Sequence, residues 1–402
     1  MFLDLIIALI CGICTGIFTG ITPGIHINLV NSVLISAAPI LLLNFTIPQI
    51  VLFIIAMSIT HTFLDSLPSI FLGAPDETTV LAVTPGHRYL LRGEGIRAFK
   101  LTLAGSFLAI LFSVLAMPAI AAFVSLAYPL IRKYVAYILI GFSAMLILGS
   151  RSKGDALILF ALSGLLGYAC TSGVFSEPLV PLLSGMFGLS SIILSIMNDQ
   201  KIAEQRECSL CYFKGGILSV LTGGVAGLIT AIFPGIGSSF ATIIGSKLVS
   251  FIKRKTDEAA DGFMMMLGSV NTFNFLLSIP MAYLFSKARN GSVMAISTIT
   301  GKIGDNLLIL IITGSLVSGC IAFLISFHIQ KIFIRFIKKI NYKLLSVIIG
   351  CAIVAISIVS SGFTGVIILA VSTSIGIYSS FVKAPKTAMM GCLIFPVIIW
   401  LI

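Results

Sequence analysis

The sequence predicts an all-α polytopic membrane protein made of two inverted-topology repeats, whose helices are broken at Pro-Gly pairs or re-enter the membrane. Three observations predict this fold class: a very apolar composition, an internal sequence repeat, and an exchange of loop charges between the two halves.

Of the 402 residues, 58% are hydrophobic and only 10% are charged, and the mean hydropathy is +1.15. Apolar stretches of about 17 to 25 residues recur from end to end, and each can cross a hydrocarbon layer of roughly 30 Å as a helix. Backbone groups in lipid must pair within their own segment, which favours helices, and the stretches lack the alternation of a membrane β-barrel. We therefore expect about ten to fourteen membrane elements in a multi-pass protein.

The same composition excludes several classes of function. No polar stretch is long enough for a soluble catalytic or nucleic-acid-binding domain, and the formal charge of +11 comes from Lys and Arg in short loops, as topology signals do. The apolar run that begins at Leu3 has no basic region before it and is expected to be a retained helix. Cys208 and Cys211 form one loop CxxC with no His nearby, so we expect no metal and no cofactor.

An internal repeat divides the chain. Residues 16–25 recur as residues 227–236, so that Pro23-Gly24 matches Pro234-Gly235 at a spacing of 211 residues. Residues 61–63 and 271–273, and several single glycines, match at spacings of 209 to 211. An ordered series at nearly constant spacing indicates a duplication. We assign residues 1–200 to the first transmembrane repeat, 201–214 to a cytoplasmic linker and 215–402 to the second repeat.

Loop charges predict that the two repeats are inverted. The gap at Arg132 and Lys133 is weakly basic, whereas its counterpart in the second half, residues 331–343, is strongly basic. The gap at Arg151 and Lys153 is matched by an uncharged one around residues 361–362. Because basic loops stay in the cytoplasm, the N-terminus is predicted outside, the linker inside, and the protein in the cytoplasmic membrane. Inverted repeats are typical of secondary transporters.

Each Pro-Gly pair lies within an apolar region and is expected to split it into two half-helices. The second half-helix would begin at membrane depth with unpaired N–H groups and a partial positive charge, which suits an anion. A simple kink or a tight turn between full helices is the alternative. The predicted substrate-binding residues here are Thr22, Pro23, Gly24, His26, Asn28, Pro234, Gly235, Gly237 and Ser238.

A second polar group contains His61 and Asp65, four residues apart and so on one helix face. Ionisable side chains at that depth are costly and usually line a cavity, which makes this pair the candidate for coupling to H⁺ or Na⁺. The alternative is a pair that closes a helix end at the membrane surface. Asn271 and Asn274 lie in the corresponding segment of the second repeat and are predicted to donate hydrogen bonds to the substrate. Arg88 and Arg92 could steer an anion, although the preference for basic loops inside explains them equally well.

At these residues the chain resembles the large permease of the tripartite tricarboxylate transporter family, the TctA type. The resemblance rests on residues 16–25, on residues 73–100 with their Gly-Glu-Gly-Ile-Arg-Ala segment, and on Pro234-Gly235. It implies cation-driven uptake of citrate-like or other small carboxylates, assisted by an extracytoplasmic binding protein and a small membrane subunit. It also implies that Pro23, Gly24, Pro234 and Gly235 form parts of the substrate site.

Two functions fit these features. The first is a secondary transporter of a small organic anion. The second is a transporter or flippase of a lipid-linked phosphate such as polyprenyl phosphate, which a cavity open sideways to lipid would favour. An intramembrane enzyme is not expected, because four histidines and no HExxH spacing supply neither a metal triad nor a nucleophile with its base.

Overall fold

The computed structural model describes residues 2–22, 27–72, 83–150, 152–173, 178–197, 204–207, 216–232, 242, 245, 256–288, 290–339, 342–382 and 384–402. In the described residues, ten α-helices precede the predicted linker: α1 (Phe2–Ile21), α2 (Ile27–Asn44), α3 (Ile47–Leu64), α4 (Ser66–Phe71), α5 (Val83–Leu91), α6 (Gly95–Ile131), α7 (Val135–Leu148), α8 (Lys153–Thr171), α9 (Leu179–Leu183) and α10 (Ser190–Met197). Six follow it in the described residues: α11 (Gly216–Ile232), α12 (Thr256–Phe285), α13 (Gly291–Thr300), α14 (Asp305–Lys339), α15 (Tyr342–Phe381) and α16 (Gly391–Leu401).

The fold is an all-α polytopic membrane protein, which confirms this part of the predicted fold class. Across the described residues, seven helical segments are long and apolar enough to cross a membrane, and five shorter apolar helices accompany them. One of the seven, Gly95–Leu148, joins α6 and α7 through a single 3₁₀ turn at Arg132–Tyr134, so the predicted loop there is only a change of helix type.

Helix boundaries follow local sequence signals. The Thr46 backbone N–H donates to Gln49 Oε1 at 2.7 Å, and Pro48 stands in the first turn of α3, which fixes where that helix begins. In α15 the helix is interrupted at Gly362, whose φ of 62° and ψ of −151° suit only glycine. This interruption lies where the sequence predicted an uncharged gap between two membrane segments.

Two helical segments form the centre of the molecule. In Ile47–Phe71 and Ala260–Phe285, 89% of the most apolar 18-residue window is buried, whereas the other five spanning segments bury 22% to 39%. These two are α3 with α4 and most of α12. The outer helices present their remaining faces to the lipid, and the central pair is where polar side chains can be shielded from it.

Helices from the two halves pack in matching, reciprocal pairs. A Cβ atom at Gly105 of α6 would overlap Met265 of α12, and one at Gly314 of α14 would overlap Leu52 of α3. A Cβ atom at Gly167 of α8 would overlap Cys392, and one at Gly376 of α15 would overlap Met186. Helices of each half therefore pack closely on a central helix and on a peripheral segment of the other half. This packing accords with duplication, while the domain boundaries and the inverted orientation of the halves stay predictions.

Candidate functional site

The first part of the site forms where α1 packs closely against α3. A Cβ atom at Gly16 would overlap the Met57 carbonyl oxygen, so only glycine allows this approach. One turn further along α1, Thr19 Oγ1 lies 3.1 Å from His61 Nδ1 and 3.2 Å from the Gly16 carbonyl oxygen. Thr19 and His61 are each 3% exposed. The predicted ionisable residue His61 is therefore buried and held by a partner on another helix.

The second part joins the two central helices. Asn271 Nδ2 of α12 donates to Asp65 Oδ2 at 2.5 Å, and the two side chains are 6% and 2% exposed. Asp65 lies at the break between α3 and α4, where its backbone N–H donates to the His61 carbonyl oxygen at 2.9 Å. Burying a carboxyl group without a partner would cost several kcal/mol, and the amide supplies the donor it needs.

The third part repeats the first in the other half. A Cβ atom at Gly227 of α11 would overlap Phe273 of α12, and Thr230 Oγ1 lies 2.7 Å from the Gly227 carbonyl oxygen and 3.2 Å from Asn274 Oδ1. The Thr230 hydroxyl therefore contacts Asn274 in the same way as the Thr19 hydroxyl contacts His61. The sequence match had aligned His61 with Asn271 instead. Asn274 lies three residues after Asn271, which is close to one helical turn, so the two side chains are on the same face of α12.

We call the six side chains that make these three contacts the polar centre: Thr19, His61, Asp65, Thr230, Asn271 and Asn274. Four come from the central helices, and the two threonines come from the helices packed on them. The polar centre combines one imidazole and one carboxyl group with neutral donors and acceptors, inside a bundle of mostly apolar helices. Such a group can bind an ion or a polar solute at membrane depth.

Several predicted residues lie outside the described residues: Pro23, Gly24, His26, Pro234, Gly235, Gly237 and Ser238. Asn28 belongs to α2, but its side chain is not described. Thr22 is described, and its hydroxyl donates to the Phe18 carbonyl oxygen at 2.6 Å. The neighbouring helices end close to these residues, since α1 ends at Ile21, α2 begins at Ile27 and α11 ends at Ile232. Thr19 and Thr230 are therefore two residues from the ends of their helices.

Arg88 and Arg92 are exposed, at the end of α5 and in the turn that follows it, and lie outside the buried polar centre. This turn is held by the predicted linker. Gln205 Nε2 donates to the Leu90 carbonyl oxygen at 3.0 Å, and the Gly95 N–H donates to Gln205 Oε1 at 2.8 Å. The basic turn is thus fixed against the segment that connects the two halves.

A second polar contact between the halves was missed in the sequence. Asp261 of α12 accepts hydrogen bonds from Tyr89 and from Arg97 Nη2, both at 2.6 Å, and is 5% exposed. Burial and, next, the hydrogen bond to Asp261 raise the pKa of Tyr89 well above its usual value. Asp261 is the third acidic residue in the first two turns of a helix that is otherwise mostly apolar, and this position was the signal that could have pointed to it.

A cavity of about 400 Å³ lies between the outer ends of α1, α2 and α3. Its lining is mostly apolar and comprises Asp4, Ile7, Ala8, Cys11, Leu34, Leu41, Phe45, Gln49, Ile50 and Phe53. Two of its lining residues, Ile7 and Phe45, are about half exposed. Cys11 precedes Thr19 by eight residues, about 12 Å of helix. The cavity therefore approaches the polar centre from one end of α1.

Among the described residues, no three His, Cys, Asp or Glu side chains come together as a metal site would require. The CxxC pair at Cys208 and Cys211 lies outside the described part of the chain. The polar centre itself offers one imidazole and one carboxyl group.

These features define a polytopic helical membrane protein with an ionisable polar centre buried between its two central helices. The model of the "Tripartite tricarboxylate transporter TctA family" matches residues 6–391. The chain belongs to this family of membrane transporters, as the motifs in its sequence indicated. It is also 30% identical to the uncharacterized protein MJ1079 of Methanocaldococcus jannaschii, over 99% of this chain and 98% of that protein. No solved structure gives a significant match.

Proposed function

We propose that the chain is a secondary active transporter that moves a small organic anion, a di- or tricarboxylate, across the cytoplasmic membrane, driven by H⁺ or Na⁺. The observation that carries the proposal is the Asp65–Asn271 hydrogen bond, which places an ionisable group of one half against the other half at the centre of the molecule. Family membership supports transport of a carboxylate.

Charge repulsion gives a physical reason why binding of the anion would be coupled to binding of the cation. A substrate carboxylate about 4 Å from an ionised Asp65 would be repelled by about 4 kcal/mol at an effective dielectric constant of 20, which weakens binding roughly a thousandfold. A proton on Asp65 or on His61, or a Na⁺ beside them, removes or offsets that repulsion. Cation and anion then bind together far better than either alone, and this mutual dependence is what a symporter requires.

The anion would be bound by neutral donors as well as by the cation. Asn271 and Asn274 belong to one face of α12, and the N-terminal ends of the half-helices predicted at Pro23-Gly24 and Pro234-Gly235 would direct N–H groups towards the same place. Rocking of the two halves about this centre would open it first to one side of the membrane and then to the other. A small membrane subunit and an extracytoplasmic binding protein are the proposed partners, and the latter would deliver the anion.

The test is uptake of radiolabelled citrate and succinate into proteoliposomes under an imposed inward proton or sodium gradient. Wild-type protein should accumulate at least one of these anions under one of the gradients. His61→Gln and Asp65→Asn should each lower gradient-driven accumulation at least tenfold, because neither variant can change its charge at the polar centre. Accumulation as fast as wild type in both variants would rule out their coupling role.

Two matched variants control for general damage. His328→Gln removes an exposed histidine of α14, and Asp155→Asn removes a carboxylate in the first turn of α8 that accepts from Ser152. Both should accumulate the anion like wild type. If no carboxylate is taken up by wild type under either gradient, with or without a binding protein, the proposed function is wrong.

The cavity beside α1 favours a second candidate, transport of a lipid-linked phosphate. Its mostly apolar lining, in which Ile7 and Phe45 are about half exposed, suits an alkyl or prenyl chain better than a small anion, which Asp4 would repel. Thermal stabilisation of the purified protein by a polyprenyl phosphate, and by neither citrate nor succinate, would favour this candidate. Stabilisation by a carboxylate alone would exclude it.

A further inference from the structure

The cavity between α1, α2 and α3 lies apart from the polar centre, and its lining is polar at one end. Asp4 and Gln49 are its two strongly polar lining residues. Because α1 has 20 residues and is about 30 Å long, Asp4 in its first turn lies near one surface of the membrane. Cys11, which also lines the cavity, lies about 10 Å further along the helix. The cavity therefore extends from the membrane surface towards the hydrocarbon layer.

The two polar residues lie at the same end of the cavity, because α1 and α3 run in the same direction. A Cβ atom at Gly12 would overlap the Phe53 carbonyl oxygen, and one at Gly20 would lie 2.8 Å from Leu64 Cβ. Contact positions thus rise together along both helices. Residues of α1 before Gly12 accordingly pack beside residues of α3 before Phe53, which brings the polar parts of both helices to one level.

Gln49 presents an amide nitrogen at this end of the cavity. Its Oε1 accepts from the Thr46 N–H at 2.7 Å and lies 2.9 Å from Thr46 Oγ1. A backbone N–H only donates, so the amide atom that faces it must be the oxygen. Among the described residues, Gln49 makes no side-chain hydrogen bond besides these two. The two N–H groups of its Nε2 are therefore left to bind an acceptor such as a phosphate or ester oxygen.

Asp4 supplies the opposite chemistry. Its side chain is exposed, and an ionised carboxylate only accepts hydrogen bonds. Because a carboxylate has about four acceptor positions, it can bind a further donor in addition to its contacts within the protein. Charged donors bind a carboxylate more strongly than neutral ones do. A ligand that suits both residues therefore has acceptor oxygens for Gln49, a cationic donor for Asp4 and a hydrocarbon chain for the apolar lining.

We propose that this cavity binds one hydrocarbon chain of a membrane phospholipid whose head group carries a primary ammonium, with the ammonium at Asp4 and the phosphate or ester oxygens at Gln49. A volume of about 400 Å³ suits a chain rather than a whole phospholipid. The bilayer supplies lipid at high concentration, so a modest affinity keeps the cavity filled. A head group with only negative charge would be repelled by Asp4. The site does not depend on the proposed transport function.

Two native cysteines of α1 measure whether the cavity is filled. Both are exposed, but Cys11 lines the cavity and Cys14, about one turn further along, does not. Two proteins, each keeping only one of these cysteines, are alkylated with N-ethylmaleimide in detergent, with and without phosphatidylethanolamine. Lipid at about ten times its Kd leaves about one cavity in eleven empty, so alkylation of Cys11 should slow about tenfold. Alkylation of Cys14 should keep its rate.

The head group is tested with lipids that have identical chains. The ammonium of phosphatidylcholine has no N–H group and phosphatidylglycerol has no cation, so each should need about tenfold more lipid for the same protection of Cys11. Asp4→Asn should remove the preference for phosphatidylethanolamine. Asp155→Asn, which also neutralises a carboxylate in the first turn of a helix, is the matched control and should keep that preference.

A second variant tests the cavity itself. Ala8 lines the cavity, so Ala8→Phe should fill part of it and weaken the protection of Cys11 by phosphatidylethanolamine. Ala122→Phe adds the same bulk at an exposed position of α6 and should leave that protection unchanged. Equal protection of Cys11 in both variants would place the lipid outside the cavity and overturn the proposal.

Three further results would overturn it. The first is a Cys11 that phosphatidylethanolamine does not protect, or protects no better than Cys14. The second is equal or stronger protection by phosphatidylglycerol or by a polyprenyl phosphate, which would contradict the role of Asp4. The third is protection that rises with protein concentration without lipid, which would place a second copy of the chain in the cavity. None of these measurements involves carboxylate uptake, so this proposal and the proposed function fail separately.

Discussion

At the scale of single residues, the account depends on a carboxyl group that is buried and hydrogen-bonded across two helices. Asp65 and Asn271 are 206 residues apart in the chain and 2.5 Å apart in space. A hydrogen bond to a charged group contributes about 1.5 to 3 kcal/mol. The contact is therefore strong enough to be measured by removing its donor.

Asn271→Leu should lower the thermal unfolding temperature of the purified protein by a few degrees at neutral pH. It leaves the Asp65 carboxyl group without its amide donor. Asn274→Leu, which removes a half-buried amide beside Thr230 and not the donor to Asp65, is the matched variant and should lower the unfolding temperature less. Equal losses in the two variants would contradict a stabilising Asp65–Asn271 hydrogen bond.

Tyr89 makes a separate prediction for alkaline pH. Its pKa is raised in the folded protein, first by burial and then by its bond to Asp261, whereas in the unfolded chain it ionises at about 10. The stabilisation it gives is therefore complete below pH of about 10 and is lost as the pH rises above that value. The unfolding temperature of wild type should fall more steeply above pH 10 than that of Tyr89→Phe. Parallel curves would contradict the raised pKa.

The sequence predicted some residues of the site and missed others. His61 and Asp65 could be singled out, because ionisable groups four residues apart in an apolar helix are rare. Thr19 and Thr230 could not, although both stand in the repeated segments, because threonine in a helix usually bonds only its own backbone. Their second contact depends on how closely α1 and α11 approach the central helices, which the sequence alone does not state.

At the scale of elements, glycines determine how closely α1 and α11 approach the central helices. A Cβ atom at Gly16 would overlap the Met57 carbonyl oxygen, whereas one at Gly141 in α7 would have nothing within 4 Å. Gly16→Ala should therefore lower the unfolding temperature by an amount corresponding to about 1 to 3 kcal/mol, since backbone cannot yield as a side chain can. Gly141→Ala, the control, should leave stability unchanged or raise it slightly. Equal effects at both positions would contradict the close contact between α1 and α3.

Most helices were predictable from apolar stretches, and their boundaries were less so. The weakly basic gap at Arg132 and Lys133 predicted a loop, yet a single 3₁₀ turn continues α6 into α7. In contrast, the uncharged gap around residues 361–362 coincides with the interruption of α15 at Gly362. Charge indicates which side of the membrane a segment prefers, while local backbone preference decides whether the helix stops there.

At the scale of the whole molecule, inversion of the two halves is the prediction that transport requires. Reporter fusions or single-cysteine tags at the N-terminus and at Glu207 in the linker should be reached from opposite sides of the membrane, with Glu207 inside. Each half then crosses an odd number of times, as inversion demands. If both sites are reached from the same side, the halves are parallel and rocking about an axis in the membrane plane is excluded.

If the polar centre is a transport site, it opens alternately to the two sides of the membrane. The decisive experiment places one cysteine at Asn274, half-buried in the polar centre, in a chain whose eight native cysteines are replaced. A membrane-impermeant thiol reagent should label it from outside and, in inside-out vesicles, from the cytoplasmic side, and citrate or succinate should protect it from both. Labelling from one side only, or labelling that no carboxylate slows, would contradict the account.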